Sequence, residues 1–153
     1  MYEILLYLHS WGRWLVLIGA VWAIVKNYTG WQQRRTYLKA DNTAAVFFIA
    51  MLHLQVVIGL LLYFVWSPYA QQALADMGAA MKDRELRFWG VEHLTSMLLA
   101  AVVAQVGRIR SKRASSDLLK HRRAFWFFVV ALAIILLSIP WGGHNPYRPL
   151  FRF

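Results

Sequence analysis

Residues 44–66 read AAVFFIAMLHLQVVIGLLLYFVW, an apolar run interrupted by one imidazole, His53, and one amide, Gln55. Crossing the roughly 30 Å hydrocarbon core of a bilayer takes about 20 helical residues at about 1.5 Å each, and this run is long enough. Its apolar residues are continuous instead of alternating, which argues against a barrel strand, and an open strand in lipid would leave its backbone polar groups without partners. Ser67-Pro68 then supplies a helix-breaking signal. Three further stretches pass the same test: Ile4 to Val25, Phe88 to Val106, and Ala124 to Trp141, the last closed by Pro140 with Gly142-Gly143. The expected fold is all-α, an integral membrane four-helix up-down bundle with short connections, in a single transmembrane domain over residues 1–153 with spans of about 4–25, 44–66, 88–106 and 124–141. The run from Met1-Tyr2-Glu3-Ile4-Leu5 turns apolar almost at once, which predicts a first span and not a cleaved leader.

Composition agrees. The chain is 59% hydrophobic and 16% charged, outside the range of ordinary soluble domains, and carries a formal charge of +10. Such a charge on a soluble face would suggest nucleic acid, but here the basic residues sit in loops between apolar runs, so the charge is read as topology and no nucleic-acid partner is expected. With no cysteine there is no disulfide, thiolate metal site, iron–sulfur cluster or covalent haem attachment.

Lysine and arginine resist translocation, so the loops orient the chain. Lys26, Arg34, Arg35 and Lys39 follow the first span, and Arg108, Arg110, Lys112, Arg113, Lys120, Arg122 and Arg123 follow the third. Both loops are expected in the cytoplasm. The middle loop balances Lys82, Arg84 and Arg87 against Asp76, Asp83 and Glu85, and the tail holds only Arg148 and Arg152, which puts both termini outside. Positive-inside retention alone accounts for the basic third loop, and no catalytic role is assigned to it.

Ionisable groups within a span are costly and invite a functional reading. The candidates are His9, Arg13, His53, Glu92 and His93. His9 and His93 lie about a turn and a half inside the outer ends of their helices, at similar depth, while His53 lies near the bilayer middle, about two turns deeper. Arg13, at i+4 from His9, shares its face, and Gly12 leaves space beside them. Met97, Ala100 and Ala104 continue the face of His93, and small residues there allow either close helix approach or a flat bound group. Gly59 points well away from His53.

A b-type haem accounts for these features together: imidazoles from different helices ligate iron and an arginine neutralises a propionate. The expected iron ligands are His9 and His93. His53 is expected on the third wall of the same pocket, as an alternative axial ligand or as a proton and quinone contact. Arg13 has competing readings as a snorkelling side chain or a partner of Glu92. Glu92 is open between proton relay, hydrogen-bond partner of a ligand, and headgroup contact. His121, inside the basic run Lys120 to Arg123, is expected to be solvated or among headgroups. His144, just past the fourth span, could fold back towards the outer cluster.

The residues His9-Ser10 with Arg13-Trp14, His53-Leu54-Gln55 with Ile58-Gly59-Leu60 and Tyr63-Phe64, Arg87-Phe88 with Val91-Glu92-His93, and Ser138-Ile139-Pro140-Trp141 resemble those of the small four-helix bacterial membrane proteins labelled cytochrome b or cytochrome-b-like. The resemblance covers essentially the whole chain. It implies a bacterial inner-membrane protein with haem b held by histidines of the bundle, serving electron transfer, and it adds His53 to the candidate ligands. The more distant cytochrome b561 group also uses four helices and histidine-ligated haem, exchanging electrons with quinone or superoxide. Its second haem requires a second matched histidine pair; the fourth span here has no histidine, so one haem is expected.

The expected function is electron transfer between the quinone pool, or a respiratory-chain partner, and an acceptor outside. Two rivals stand beside it: a haem-dependent membrane oxidoreductase acting on superoxide, quinol or a porphyrin precursor, and a cofactor-free accessory subunit of a respiratory complex whose histidines bond between helices. A metal transporter fits less well, because methionine pairs, cysteines and a continuous line of ligands are missing. Assembly into a homo-oligomer is left open.

Overall fold

A computed structural model describes residues 1–141, and helices account for nearly all of them. Helix α1 spans Tyr2–Gln32 and α2 spans Lys39–Leu61, the latter running on through a π-helical turn, Leu62–Trp66. A connection of three short helices follows: α3 (Pro68–Ala75), α4 (Met77–Ala80) and α5 (Arg84–Arg87). A second π-helical turn, Phe88–Glu92, leads into α6 (His93–Lys112), and α7 covers Asp117–Ser138. Four helical stretches, Tyr2–Gln32, Lys39–Trp66, Arg84–Lys112 and Asp117–Ser138, are long and apolar enough to cross a membrane. The expected spans fall inside them, except that the fourth helix stops at Ser138 and not at Trp141. The expectation of short connections fails between α2 and α6, where α3 to α5 intervene.

The four long helices close a ring in which α1 packs on α2 and α7, and α6 packs on α7 and α2. Alanines set the spacing: Ala20, Ala23, Ala44, Ala100, Ala104 and Ala131 are fully buried, so backbones approach closely where a larger residue would hold them apart. Phe48 and Phe128 fill the centre edge to face, their ring centres 5.2 Å apart. The outward positions are apolar instead, with Ile18, Val57, Leu99, Val102 and Leu137 all exposed. This inversion of the soluble pattern matches the length and hydropathy of the four helices.

One end of the ring is sealed. There α1 finishes in a Schellman motif, Arg34 N–H on Trp31 O (3.2 Å) and Arg35 N–H on Gly30 O (3.1 Å), with Arg34 at φ 50° where glycine is the usual residue. Arg35 then grips Asp41 through two hydrogen bonds of 2.6 and 2.7 Å, and Asp41 also accepts from Leu38 N–H at 2.8 Å. That hydrogen bonding holds the Arg35 guanidinium above its ordinary pKa. Nearby, burial pushes the Tyr37 phenol up.

His121 belongs to this sealed end and corrects an expectation. It is fully buried instead of solvated, its Nδ1 3.3 Å from Asn27 Oδ1 and its ring centre 4.9 Å from that of Tyr37. Gly30 makes the room, since a Cβ there would land inside the imidazole. At the opposite end, where α1 begins, α3 packs on the π-helical turn Phe88–Glu92.

Candidate cofactor site

Two imidazoles from opposite helices meet in the half of the ring where α1 begins. His9 on α1 and His93 on α6 have ring centres 6.3 Å apart with their planes at 72°. The depth match read from the sequence therefore brings these two together. Each is set by a specific neighbour.

His93 is oriented by the end of α7. That helix stops at Ser138, because Ile139 turns extended (φ −76°, ψ 129°) and Pro140 follows with no N–H to offer. Its last carbonyls leave the helical ladder and need outside donors. Ser138 O finds His93 Nδ1 at 3.1 Å. A carbonyl can only accept, so His93 Nδ1 is the donor in this contact, which in a neutral ring puts the lone pair on Nε2. The π-helical turn contributes as well, for His93 N–H closes it on Phe88 O. Such turns add a residue to the helix and are frequent at functional sites.

His9 is placed by α2. Gln55 donates through Nε2 to the His9 backbone carbonyl at 2.5 Å, joining the two helices at that level. One turn further along α2, Gly59 faces the imidazole: a Cβ at this position would stand 3.1 Å from His9 Cε1. Gly59, uninformative when judged against His53, is thus the residue that makes room for His9. The space expected beside Gly12 is taken by the Gln55 side chain.

Around the pair lie two lobes that share part of their lining. One, with a cavity volume of about 100 Å³ between α1, α2 and α6, is bounded by Tyr2, Gly59, Leu62, Tyr63 and Leu94. The other, with a cavity volume of about 90 Å³ between α1, α6 and α7, is bounded by Ser10, Arg13, Ile135, Ile139 and Pro140. Both include His9, His93, Gln55, Trp89 and Met97, so the histidine pair stands at their junction. Tyr63 donates its hydroxyl to Gly90 O at 2.7 Å, tying the two π-helical turns together over the first lobe.

Arg13 borders the second lobe, its guanidinium carbon 5.5 Å from the centre of the Trp14 ring. Glu92 is not its ion-pair partner here; that carboxylate bonds Arg87 Nε at 2.7 Å on the exposed surface. Ala100 and Ala104 serve helix approach, being fully buried in the packed half, whereas Met97 lines the lobes. His53 is not brought to the pair. It lies on the outward face of α2 and borders neither lobe, so the third wall is made by Gln55 and Gly59, two and six positions further on. His144 lies outside the described residues.

Among the described residues, no three His, Cys, Asp or Glu side chains converge as metal ligands. A bare ion would receive only two imidazole nitrogens, whereas a macrocycle brings four nitrogens of its own and needs just two axial ligands. No protein-family model, curated protein or solved structure matches the chain. The class defined by fold and site is therefore an all-α four-helix bundle with a paired-imidazole cavity.

Proposed function

We propose that this protein is a multi-pass membrane cytochrome of b type, holding one haem b between His9 and His93 and passing electrons between a quinone pool or partner protein and an acceptor. The observation that carries the reading is the His93 Nδ1 contact to Ser138 O, which leaves a basic nitrogen on a ring facing a second imidazole at 6.3 Å. Bound there, haem would supply reversible one-electron redox chemistry. The chain's residues would do the rest. His9 and His93 hold the metal, Gln55 and the Ser138 carbonyl fix their positions, and Arg13 offers positive charge to a propionate in the second lobe. Leu6, Leu52, Leu62 and Leu94 line the first lobe and keep water out.

Loop charge supports an orientation with the Arg- and Lys-rich connections in the cytoplasm, and hence the cavity near the outer face of a bacterial inner membrane. The test is a reduced-minus-oxidised visible spectrum of detergent-purified protein and of His9→Ala, His93→Ala and His53→Ala. Low-spin haem bands should vanish in the first two variants and persist in the third. Colourless wild-type protein that stays colourless after haem addition would overturn the reading in favour of an accessory subunit.

A further inference from the structure

His53 is unused by the cavity and sits where an imidazole has least support. It is the fifteenth residue of the 28-residue helical stretch Lys39–Trp66, about 20 Å from either end. On the membrane reading this is mid-bilayer. Its position is outward and exposed, and it makes no hydrogen bond to any described residue. The other exposed ionisable side chains of the spans, Tyr7 and Glu92, lie within about two turns of a span end, where headgroups and water reach them. A histidine side chain is too short to snorkel from the middle. Exposed Thr95 can return its hydroxyl to a carbonyl of its own helix, but an imidazole cannot do so in the same way.

We infer that the outward face of α2 is a dimer interface, on which His53 hydrogen-bonds His53 of a second copy of this chain. Neutral imidazole carries one donor and one acceptor, so two rings related by a two-fold axis satisfy each other. Copies inserted with the same topology are related by rotation about the membrane normal. Every residue then meets its twin at its own depth, and a histidine at mid-bilayer finds a partner without further design. A foreign helix would need a polar side chain placed independently at that level. The surrounding face suits close approach: Val46, Ala50 and Val57 are exposed at helical spacing with His53, and Ala50 stands one turn before it. Neither α1 nor α6, the helices packed beside α2, covers this face.

The inference depends on the four-span membrane reading and not on haem. Because the chain has no cysteine, single-cysteine cross-linking is clean. Full-length Ala50→Cys and Val57→Cys, oxidised in native membranes, should give a band at twice 17.8 kDa, whereas Ile18→Cys and Leu99→Cys on outward faces of α1 and α6 should not. In lipid nanodiscs or dilute vesicles, energy transfer between labelled chains should show His53→Leu weakening association at least tenfold, and His53→Asn, which keeps a donor and an acceptor, retaining most of it. Absence of cross-links, equal cross-linking at the control sites, or an adduct of another mass would each overturn the second-copy assignment. Loss of haem bands in His53→Leu would also overturn it, by making His53 a ligand. An unchanged dimer without haem would instead remove the cytochrome reading and leave this one standing.

Discussion

Gly59 provides a sensitive test of whether His9 is a ligand or a packing residue. In Gly59→Ala the new Cβ would lie 3.1 Å from His9 Cε1 and 3.7 Å from Nδ1. Comfortable carbon–carbon contact is about 3.5–4.0 Å, so the imidazole must retreat by about half an ångström. Overpacking of this kind typically costs about 1–3 kcal/mol. Without cofactor the ring can relax into the empty lobe, and alanine is a better helix former than glycine by up to about 1 kcal/mol. With cofactor the ring is pinned by its metal bond and cannot relax. The two effects have opposite signs: the apoprotein should melt at the same temperature or slightly higher, while haem affinity falls roughly 5- to 100-fold, at about 1.4 kcal/mol per decade. Gly59→Val should sit at or beyond the upper end of that range. Titrating haem into purified apoprotein and following the Soret band measures the second quantity, and thermal denaturation in detergent measures the first. Unchanged affinity in both variants would refute the placement of His9 at the haem.

Three other outcomes follow from particular contacts. Arg13→Gln removes a positive charge bordering the cavity and should lower the haem midpoint potential by tens of millivolts, about 1–2 kcal/mol for a charge about 10 Å away at an effective dielectric of about 20; a redox titration that finds no change counts against the propionate role. Arg34→Gly relieves a left-handed backbone at the end of α1 and should raise stability by about 1 kcal/mol in a chemical denaturation series. Asp41→Asn leaves Arg35 facing a neutral amide at a fully buried position and should cost about 2 kcal/mol, less than a wholly buried pair because Arg35 keeps some contact with water.

Much of the architecture was legible in the sequence because membrane-crossing length and continuous apolar runs impose helices before any tertiary contact is considered. The pairing of His9 with His93 was legible too, since rise per residue fixes depth. Facing was harder. His53 and Gln55 lie two positions apart on one helix, which is enough to put the imidazole outside and the amide inside; the stripe Leu52, Gln55, Val56 and Gly59 carries that signal. His121 could have been found in the same way. The buried positions of α7 run Ala124, Phe128, Ala131, Ile135 and Ser138, and extending that stripe back one turn lands on His121, while Arg122 and Arg123 point away. The Ser138 carbonyl had no side-chain signal at all. It becomes available only because α7 stops before Pro140, a matter of backbone geometry that residue identity hints at and three-dimensional placement decides.

The central claim, that His9 and His93 are both axial ligands, is tested most directly by electron paramagnetic resonance of the ferric protein in membranes or detergent. Rings at 72° to one another should give the strongly anisotropic low-spin signal of near-perpendicular imidazoles, converted to high spin or lost in His93→Ala. A high-spin ferric wild type, or a low-spin signal that survives removal of either histidine, would contradict the account.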